Sequence, residues 1–274
     1  MSIARTPIEE RFPAPSVMGV VNVTPDSFSD GGVNLRPEAA AATAQAMLDE
    51  GAAIVDVGGE STRPGSLGVS AEEELARVLP VLEELRGAPV SIDTSKAEVA
   101  ERALALGAEL VNDVTALRGD PGLAGVVADA GCYLCLMHML GEPRTMQVDP
   151  RYDDVVSDVK RFLEERLAFA VAAGIREELV CLDPGIGFGK TVEHNLELVR
   201  RLDELAELGR PLLVGLSRKS TLGKLTGDPA ARTGSTAASV GAAVAAFERG
   251  AAILRVHDVR EHVEALAVAR ALAG

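Results

Sequence analysis

The chain has 274 residues, 47% of them apolar, 3% aromatic and 25% charged, and its formal net charge is −14. So acidic a balance excludes a general nucleic-acid or anionic-membrane surface, each of which needs a basic stripe. No uncharged apolar run reaches the ~18 residues of a membrane span, and residues 1–15 mix acids, arginines and prolines with no signal-peptide core, so a cytoplasmic protein is expected.

Residues 1–15 read as a variable segment ahead of one domain over 16–274. The first apolar run, Val17–Val23, leads through a long loop, Pro25–Leu35, to a helix over Arg36–Glu50 that stops before Gly51. Ala53–Val57 follows, then a second long loop, Gly58–Val69, and a helix over Ser70–Leu85 with capping-box spacing at Ser70 and Glu73. Next come the run Pro89–Ile92 with a helix over Ser95–Leu106, and Leu110–Val114 with a short helix over Gly119–Ala130. Tyr133–Met137 precedes a helix over Asp153–Ala173, and Leu179–Leu182 one over Glu193–Glu207. Pro211–Leu216 precedes a helix over Pro229–Arg249, and Ala252–Val256 one over Asp258–Ala273.

Short apolar runs bounded by Gly, Pro, Asp or Asn are the mark of buried parallel strands, and strands alternating with helices build a parallel sheet. Eight such units predict a single α/β domain, a closed (β/α)8 TIM barrel, which takes about 250 residues. An open doubly wound sheet is the alternative; it usually carries a Gly-rich dinucleotide loop after its first strand, and none is present. With no Trp, the filling falls to Ala, Val, Leu and Gly. The three cysteines give no disulfide framework. Cys132 and Cys135 form a C-x-x-C, but residues three apart on a strand face opposite ways, so packing is the better reading than chelation.

Every expected strand ends in polar residues: Asn22, Asp56, Asp93-Thr94-Ser95, Asn112-Asp113, His138, Asp183, Ser217-Arg218-Lys219-Ser220 and Arg255-Val256-His257-Asp258. In a TIM barrel these ends share the face that holds the active site. Singly, each has a bland reading: Asp93, Asp183 or Ser217 could cap a helix, and His138 could be a satisfied core histidine. Helix capping does not call for Lys219, Arg255 and His257, which read as three cations gathered in an acidic chain. The two long loops follow adjacent strands and read as binding loops that can meet over one mouth.

These residues carry a family resemblance. The segment from Met18 to Gly32, with Asn22-Val-Thr-Pro-Asp-Ser-Phe28, resembles the first signature of dihydropteroate synthases, and Gly51 to Gly65, with Gly59-Glu-Ser-Thr-Arg-Pro64, resembles the second. Ser91–Ser95, Val111–Asp113, Met137–Gln147, Asp183–Lys190, Gly215–Ser220 and Arg255–Asp258 extend it from Val17 to the C-terminus. The resemblance implies a TIM barrel that joins (7,8-dihydropterin-6-yl)methyl diphosphate to 4-aminobenzoate, the substrate that sulfonamides imitate, with Mg2+ as cofactor and a homodimer as assembly. Around the pterin it implies Asp183 accepting from the ring N–H and amino group, Asn112 matching donors and acceptors beside it, Lys219 donating to the ring carbonyl edge, Arg255 stacking, and Asp93 nearby. For the diphosphate it implies Asn22, Arg63, Arg255 and His257, with Mg2+ on Asn22 and substrate oxygens. For the aminobenzoate it implies Phe28, Thr62, Pro64, Phe188 and Ser220. It implies an SN1-like path in which Asp93 and Asp183 offset charge on the pterin methylene, Lys219 acts at the ring, and Arg255 and His257 stabilise the leaving group. Two rival readings are a pterin-dependent methyltransferase domain and a non-catalytic pterin-binding barrel; Asp26–Gly32, Ser61–Pro64 and Arg255–His257, all present, oppose the first.

Overall fold

The structure, a computed structural model, describes residues 5–24, 36–63 and 65–273. The short apolar runs form β1 (Ser16–Asn22), β2 (Ile54–Gly58), β3 (Val90–Asp93), β4 (Leu110–Asp113), β5 (Tyr133–Met137), β6 (Val180–Asp183), β7 (Leu212–Val214) and β8 (Ala251–Val256). Each pairs in parallel with its sequence neighbours, and β8 returns to β1, closing the barrel. The helices are α1 (Ile8–Arg11), α2 (Pro37–Asp49), α3 (Ala71–Glu84), α4 (Ala97–Ala105), α5 (Leu123–Ala130), α6 (Val155–Ala172), α7 (Val192–Arg200), α8 (Leu202–Ala206), α9 (Ser220–Leu225), α10 (Thr236–Phe247) and α11 (Val259–Leu272).

Successive strand side chains point to opposite faces, so a strand buried on both sides feeds two cores. One set, including Val55, Val57, Ile92, Val111, Leu134, Leu182, Val214 and Leu254, packs against helix residues such as Ala44, Val78, Val99, Leu163 and Leu198. The alternate set, Met18, Ile54, Leu110, Cys135, Cys181, Leu213 and Ile253, fills the barrel interior. Cys132 belongs to the outer core and Cys135 to the inner one, so the C-x-x-C is split between them.

The N-terminal end of the barrel is closed by the segment that sequence reading sets apart as variable. Ile8 and Phe12 join the interior cluster. The Phe12 ring meets Tyr133 edge-on at 5.7 Å, and the Tyr133 hydroxyl donates to the Thr6 carbonyl at 3.0 Å. Arg11 grips Glu109 through Nε at 3.2 Å and Nη2 at 2.5 Å.

Three helices depart from expectation. Glu193–Glu207 divides into α7 and α8 at Arg201, whose guanidinium is tied to Asp154 and Glu204. The span from Pro229 is not helical until Thr236: Asp228 accepts from Ala230 N at 2.9 Å in a turn, and Ser235 then caps α10 by accepting from Ala238 N. α5 likewise starts late, at Leu123, because Asp120 holds the preceding turn by accepting from Gly122 N at 2.8 Å and Ala97 N at 2.9 Å. No helix among the described residues is long and apolar enough to cross a membrane.

The plug is expected to be a stability element remote from the polar mouth. Phe12→Ala should lower the unfolding free energy by about 3–5 kcal/mol in urea titrations followed by circular dichroism. A loss below about 1 kcal/mol, the size of an ordinary surface change, would remove Phe12 from the core.

Candidate active site

The strand parity that fills the barrel also builds the site. On four strands, two residues beyond an interior apolar side chain the same inward face turns polar: Ile54 is followed by Asp56, Leu110 by Asn112, Cys181 by Asp183 and Ile253 by Arg255. At this mouth one cavity is lined by Asp93, Asn112, Asp183, Arg255, Lys219, Phe188 and Thr62, with Val114, Met137, Ile186 and Gly215 between them.

Beneath it lies Asp56, fully buried. Its Oδ1 accepts from Ser91 Oγ at 2.6 Å, and its Oδ2 from Asn112 Nδ2 at 2.9 Å and Arg255 Nε at 2.7 Å. Arg255 turns its second edge to Asp93, donating from Nη2 to Oδ2 at 3.0 Å. Burial and the neighbouring Asp56 push the Asp93 carboxyl up to about 8, against the pull of Arg255. Asp93 therefore exchanges its proton near neutrality, unlike an ordinary carboxylate.

Asp183 faces this pair across the mouth. Burial raises it to about 6, while the Gly185 N–H, which donates to its Oδ1 at 2.6 Å, and then Lys219, Arg255 and Lys190 favour the anion. Lys219 is lowered to about 8, by burial and then by Arg255, and its ammonium sits 4.4 Å above the Phe188 ring. Phe188 belongs to a loop with three left-handed glycines, Gly185 (φ +66°), Gly187 (φ +84°) and Gly189 (φ +66°). A Cβ on Gly185 would lie 1.9 Å from the His138 carbonyl oxygen, so only glycine fits there.

Of the residues singled out in the sequence, Asp93, Asn112, Asp183, Lys219, Arg255, Thr62 and Phe188 converge on the cavity. Arg63 is exposed but near enough to depress Lys219. Asn22 ends β1, in register with Gly58, and Ser220 opens α9; both are half-buried and outside the cavity lining. Phe28, Pro64 and the whole first loop, 25–35, lie outside the described residues. The second loop is fastened at its base: Glu60 accepts from Val69 N at 3.2 Å and from Lys96 at 2.5 Å, and Arg77 donates to the Gly59 carbonyl at 2.7 Å. Farther along, Gly65 N donates to the Pro143 carbonyl at 3.0 Å.

One expectation changes. His257 is not a resident cation: burial first, then Arg255, Arg218 and Lys219, push it down to about 3. It is a neutral ring whose Nδ1 lies 3.2 Å from Ser217 Oγ. His138 takes the core reading: it is buried, with its ring edge-on to Phe162 at 4.8 Å. Two charged neighbours of the cavity were missed. Asp56 ends its expected strand as visibly as Asp93, but its reach to Arg255, 199 residues away, has no local signal. Lys190 is a buried lysine, and burial of a charge is not visible in a motif.

The chain matches the profile of the pterin binding enzyme family over residues 18–257. It is 51% identical to a dihydropteroate synthase of Neisseria meningitidis serogroup C over 265 residues, covering 94% of this chain and 93% of that protein. Among solved structures it resembles Xanthomonas albilineans dihydropteroate synthase with 4-aminobenzoic acid, with TM-score 0.87, 49% identity and coverage of 96% of this chain and 94% of that one. The structure of the Xanthomonas albilineans enzyme in complex with 7,8-dihydropteroate gives TM-score 0.84, 47% identity and coverage of 96% and 95%.

Asp56→Asn removes a charge that raises Asp93 and leaves Arg255 with one carboxylate partner. The Asp93 titration, followed by carboxyl-carbon NMR, should move down from about 8, and stability should fall by about 3–5 kcal/mol, as for a broken buried ion pair. An unmoved Asp93 would mean that the two carboxyls are not coupled.

Proposed function

The chain belongs to the pterin binding enzyme family, and we propose that it catalyses the condensation of (7,8-dihydropterin-6-yl)methyl diphosphate with 4-aminobenzoate to 7,8-dihydropteroate and diphosphate, a transferase step of folate biosynthesis. The observation that carries this reading is the convergence of Asp183, Asn112, Lys219 and Arg255, from four strands' ends, on one cavity. A pterin presents an N–H and an amino group side by side. An ionised carboxylate accepts both, which suits Asp183; Asn112, with one carbonyl and one amide group, serves the mixed edge beside it. Lys219 donates to the ring carbonyl edge, and the planar Arg255 stacks on the ring while Asp56 and Asp93 hold it in place.

Catalysis then has two requirements. Positive charge develops on the pterin methylene as diphosphate leaves, and Asp183 and the ionised form of Asp93 offset it in a site of low dielectric. The departing diphosphate needs donors: Arg255, Arg63 and His257, the last as a neutral hydrogen-bond donor. Asn22 supplies a single neutral oxygen at the end of β1, and no group of three acids, histidines or cysteines that could hold a metal is found among the described residues. Such a sparse donor set suits Mg2+, which takes few protein ligands and fills the rest with water and substrate oxygens; when bound there it would neutralise charge on the leaving diphosphate. Thr62, Phe188 and Ser220, with Phe28 and Pro64, make the aminobenzoate side, and arylamine attack on the methylene completes the exchange. The family further implies a homodimer. Exposed Val268 and Leu272 on α11, which packs against α10, offer an apolar face for it.

Purified protein given Mg2+, the pterin diphosphate and 4-aminobenzoate should form dihydropteroate, and sulfamethoxazole should compete with the aminobenzoate. Pterin binding without product would transfer the assignment to a non-catalytic barrel or a methyltransferase domain. Asp183→Ala should weaken pterin diphosphate binding by about 100-fold, the worth of two hydrogen bonds to a charge. Because Asp183 must be ionised to accept both donors, wild-type affinity should fall as pH drops through about 6; affinity that stays level to pH 5 would take Asp183 away from the ring edge. Light scattering should return twice the 28.5 kDa chain mass, and a monomer would refute the dimer.

A further inference from the structure

Lys190 is a buried lysine, only 3% exposed, and no part of the chemistry above uses it. Its ammonium occupies the hollow of the loop that follows β6. It donates to the Gly185 carbonyl at 3.0 Å and the Phe188 carbonyl at 3.0 Å, and its third near partner is His138 Nδ1 at 2.8 Å. An ammonium has three donors, and here each has an acceptor. His138 is pushed far below its ordinary range by burial and then by Lys190, so its ring is neutral and its Nδ1 is available as an acceptor.

The loop around this ammonium touches the site at two points. The peptide whose carbonyl precedes Ile186 belongs to Gly185, and the N–H of the same residue holds the Asp183 carboxylate at 2.6 Å. Phe188, whose carbonyl Lys190 also holds, lies with its ring under the Lys219 ammonium. Left-handed glycines at 185, 187 and 189 give this backbone its shape but also leave it soft. Other ties exist: Gly187 N donates to Asn195 Oδ1 at 2.8 Å, and the Tyr152 hydroxyl donates to the Gly189 carbonyl at 2.8 Å. Gln147 Nε2 also donates to the Gly187 carbonyl at 2.6 Å, and within the loop the Phe188 N–H donates to the Gly185 carbonyl at 3.1 Å; of these contacts only that of Lys190 reaches the Phe188 carbonyl.

We propose that Lys190 is a positioning residue for pterin recognition: its ammonium, seated on His138, locks the 184–189 loop so that the Gly185 N–H orients Asp183 and the Phe188 ring lies beneath Lys219. Lys190 itself does not touch substrate. The assignment of Asp183 and Lys219 to the pterin rests on the function proposed above; the lock on the loop does not. A charge consequence follows from the same geometry. The charged groups facing Asp183 are Lys219, Arg255 and Lys190, and those facing Lys190 are Asp183 and Lys219, with neutral His138 between strands. Burial lowers Lys190 to about 7, so at pH 6 it is mostly charged and helps to keep Asp183 ionised.

The test uses two variants and one measurement on the unaltered protein. Lys190→Met removes charge and donors; Lys190→Gln removes the charge but keeps two donors for the two carbonyls. Calorimetric titration with the pterin diphosphate at pH 6.5, where Lys190 is mostly charged, should show Kd raised roughly tenfold for the Met variant, from the buried Phe188 carbonyl left unpaired and the Gly185 carbonyl left with the Phe188 N–H alone, and less for the Gln variant. In both, the acid limb of the affinity profile should move up by about one pH unit, as expected on loss of a nearby opposite charge; simple loss of packing would not move it. In the unaltered protein, hydrogen exchange of the peptide spanning 184–190, corrected for intrinsic rate, should lose protection as pH rises from 6 to 9 while α6 and α11 keep theirs. Variants that bind pterin with unchanged Kd and unchanged acid limb would overturn the proposal, as would a loop equally protected at both pH values. If the unaltered protein fails to bind pterin, the functional reading falls instead, and the exchange measurement still decides whether Lys190 locks the loop.

Discussion

At the floor of the mouth, one buried carboxylate holds three donors from three different strands. Asp56 fixes the guanidinium of Arg255, the amide of Asn112 and the hydroxyl of Ser91, with no exposure to solvent. A buried ion pair is weak evidence for stability, but removing one member is costly because the other charge is then stranded. Its value here is directional. Arg255 has Asp93 at its other edge, so its plane is set by two carboxylates on neighbouring strands. The proton affinity of Asp93 is set here too, raised by burial and by the charge of Asp56 against the pull of Arg255.

This arrangement also answers how a chain of net charge −14 can receive a diphosphate. The overall charge is spread over a solvated exterior and is screened beyond about 10 Å. Inside the mouth the charges are mixed and partly desolvated: Asp56, Asp93 and Asp183 stand against Arg255, Lys219 and Lys190, and burial displaces Asp93, Asp183, Lys219 and Lys190 from their ordinary ranges. Burial drives Asp93, Asp183, Lys219 and Lys190 toward neutrality together, which keeps these acids and lysines compatible in a small volume. His257 goes the same way and enters the site as an uncharged ring.

Two loops at the mouth, after β2 and after β6, are fastened by contacts among their described residues. Lys96 links Glu60 of the second loop to fully buried Glu74 of α3, at 2.5 and 2.6 Å. On the far side, the three-glycine loop packs so closely on residues 138–140 that side chains at Gly185 or Gly189 would collide with His138 or Leu140. Rigid bases of this kind let a site recognise a flat ring without reorganising when it binds.

Much of this was legible in the chain. Eight short apolar runs, alternating with helical stretches, specified a parallel barrel because strand and helix periods differ and each run was punctuated by Gly, Pro or Asp. The polar strand ends specified the site's membership: Asp93, Asn112, Asp183, Lys219 and Arg255 all reach the same cavity. Boundaries were less legible where a local turn competes with helix, as at Asp120 and Asp228. The roles of Ile8 and Phe12 were invisible because an interior plug has no pattern until a barrel exists to receive it. For the same reason the sequence placed Asp56 and His138 at strand ends without their partners, and gave no sign of what Lys190 holds. Their pairing spans 199 residues between Asp56 and Arg255 and 52 between His138 and Lys190. The sequence by itself determined which side chains stand at the strand ends, through a local alternation. Which of them are charged, which are paired and which merely hold others in place was decided by tertiary structure, since burial and through-space charge exist only once the barrel has closed.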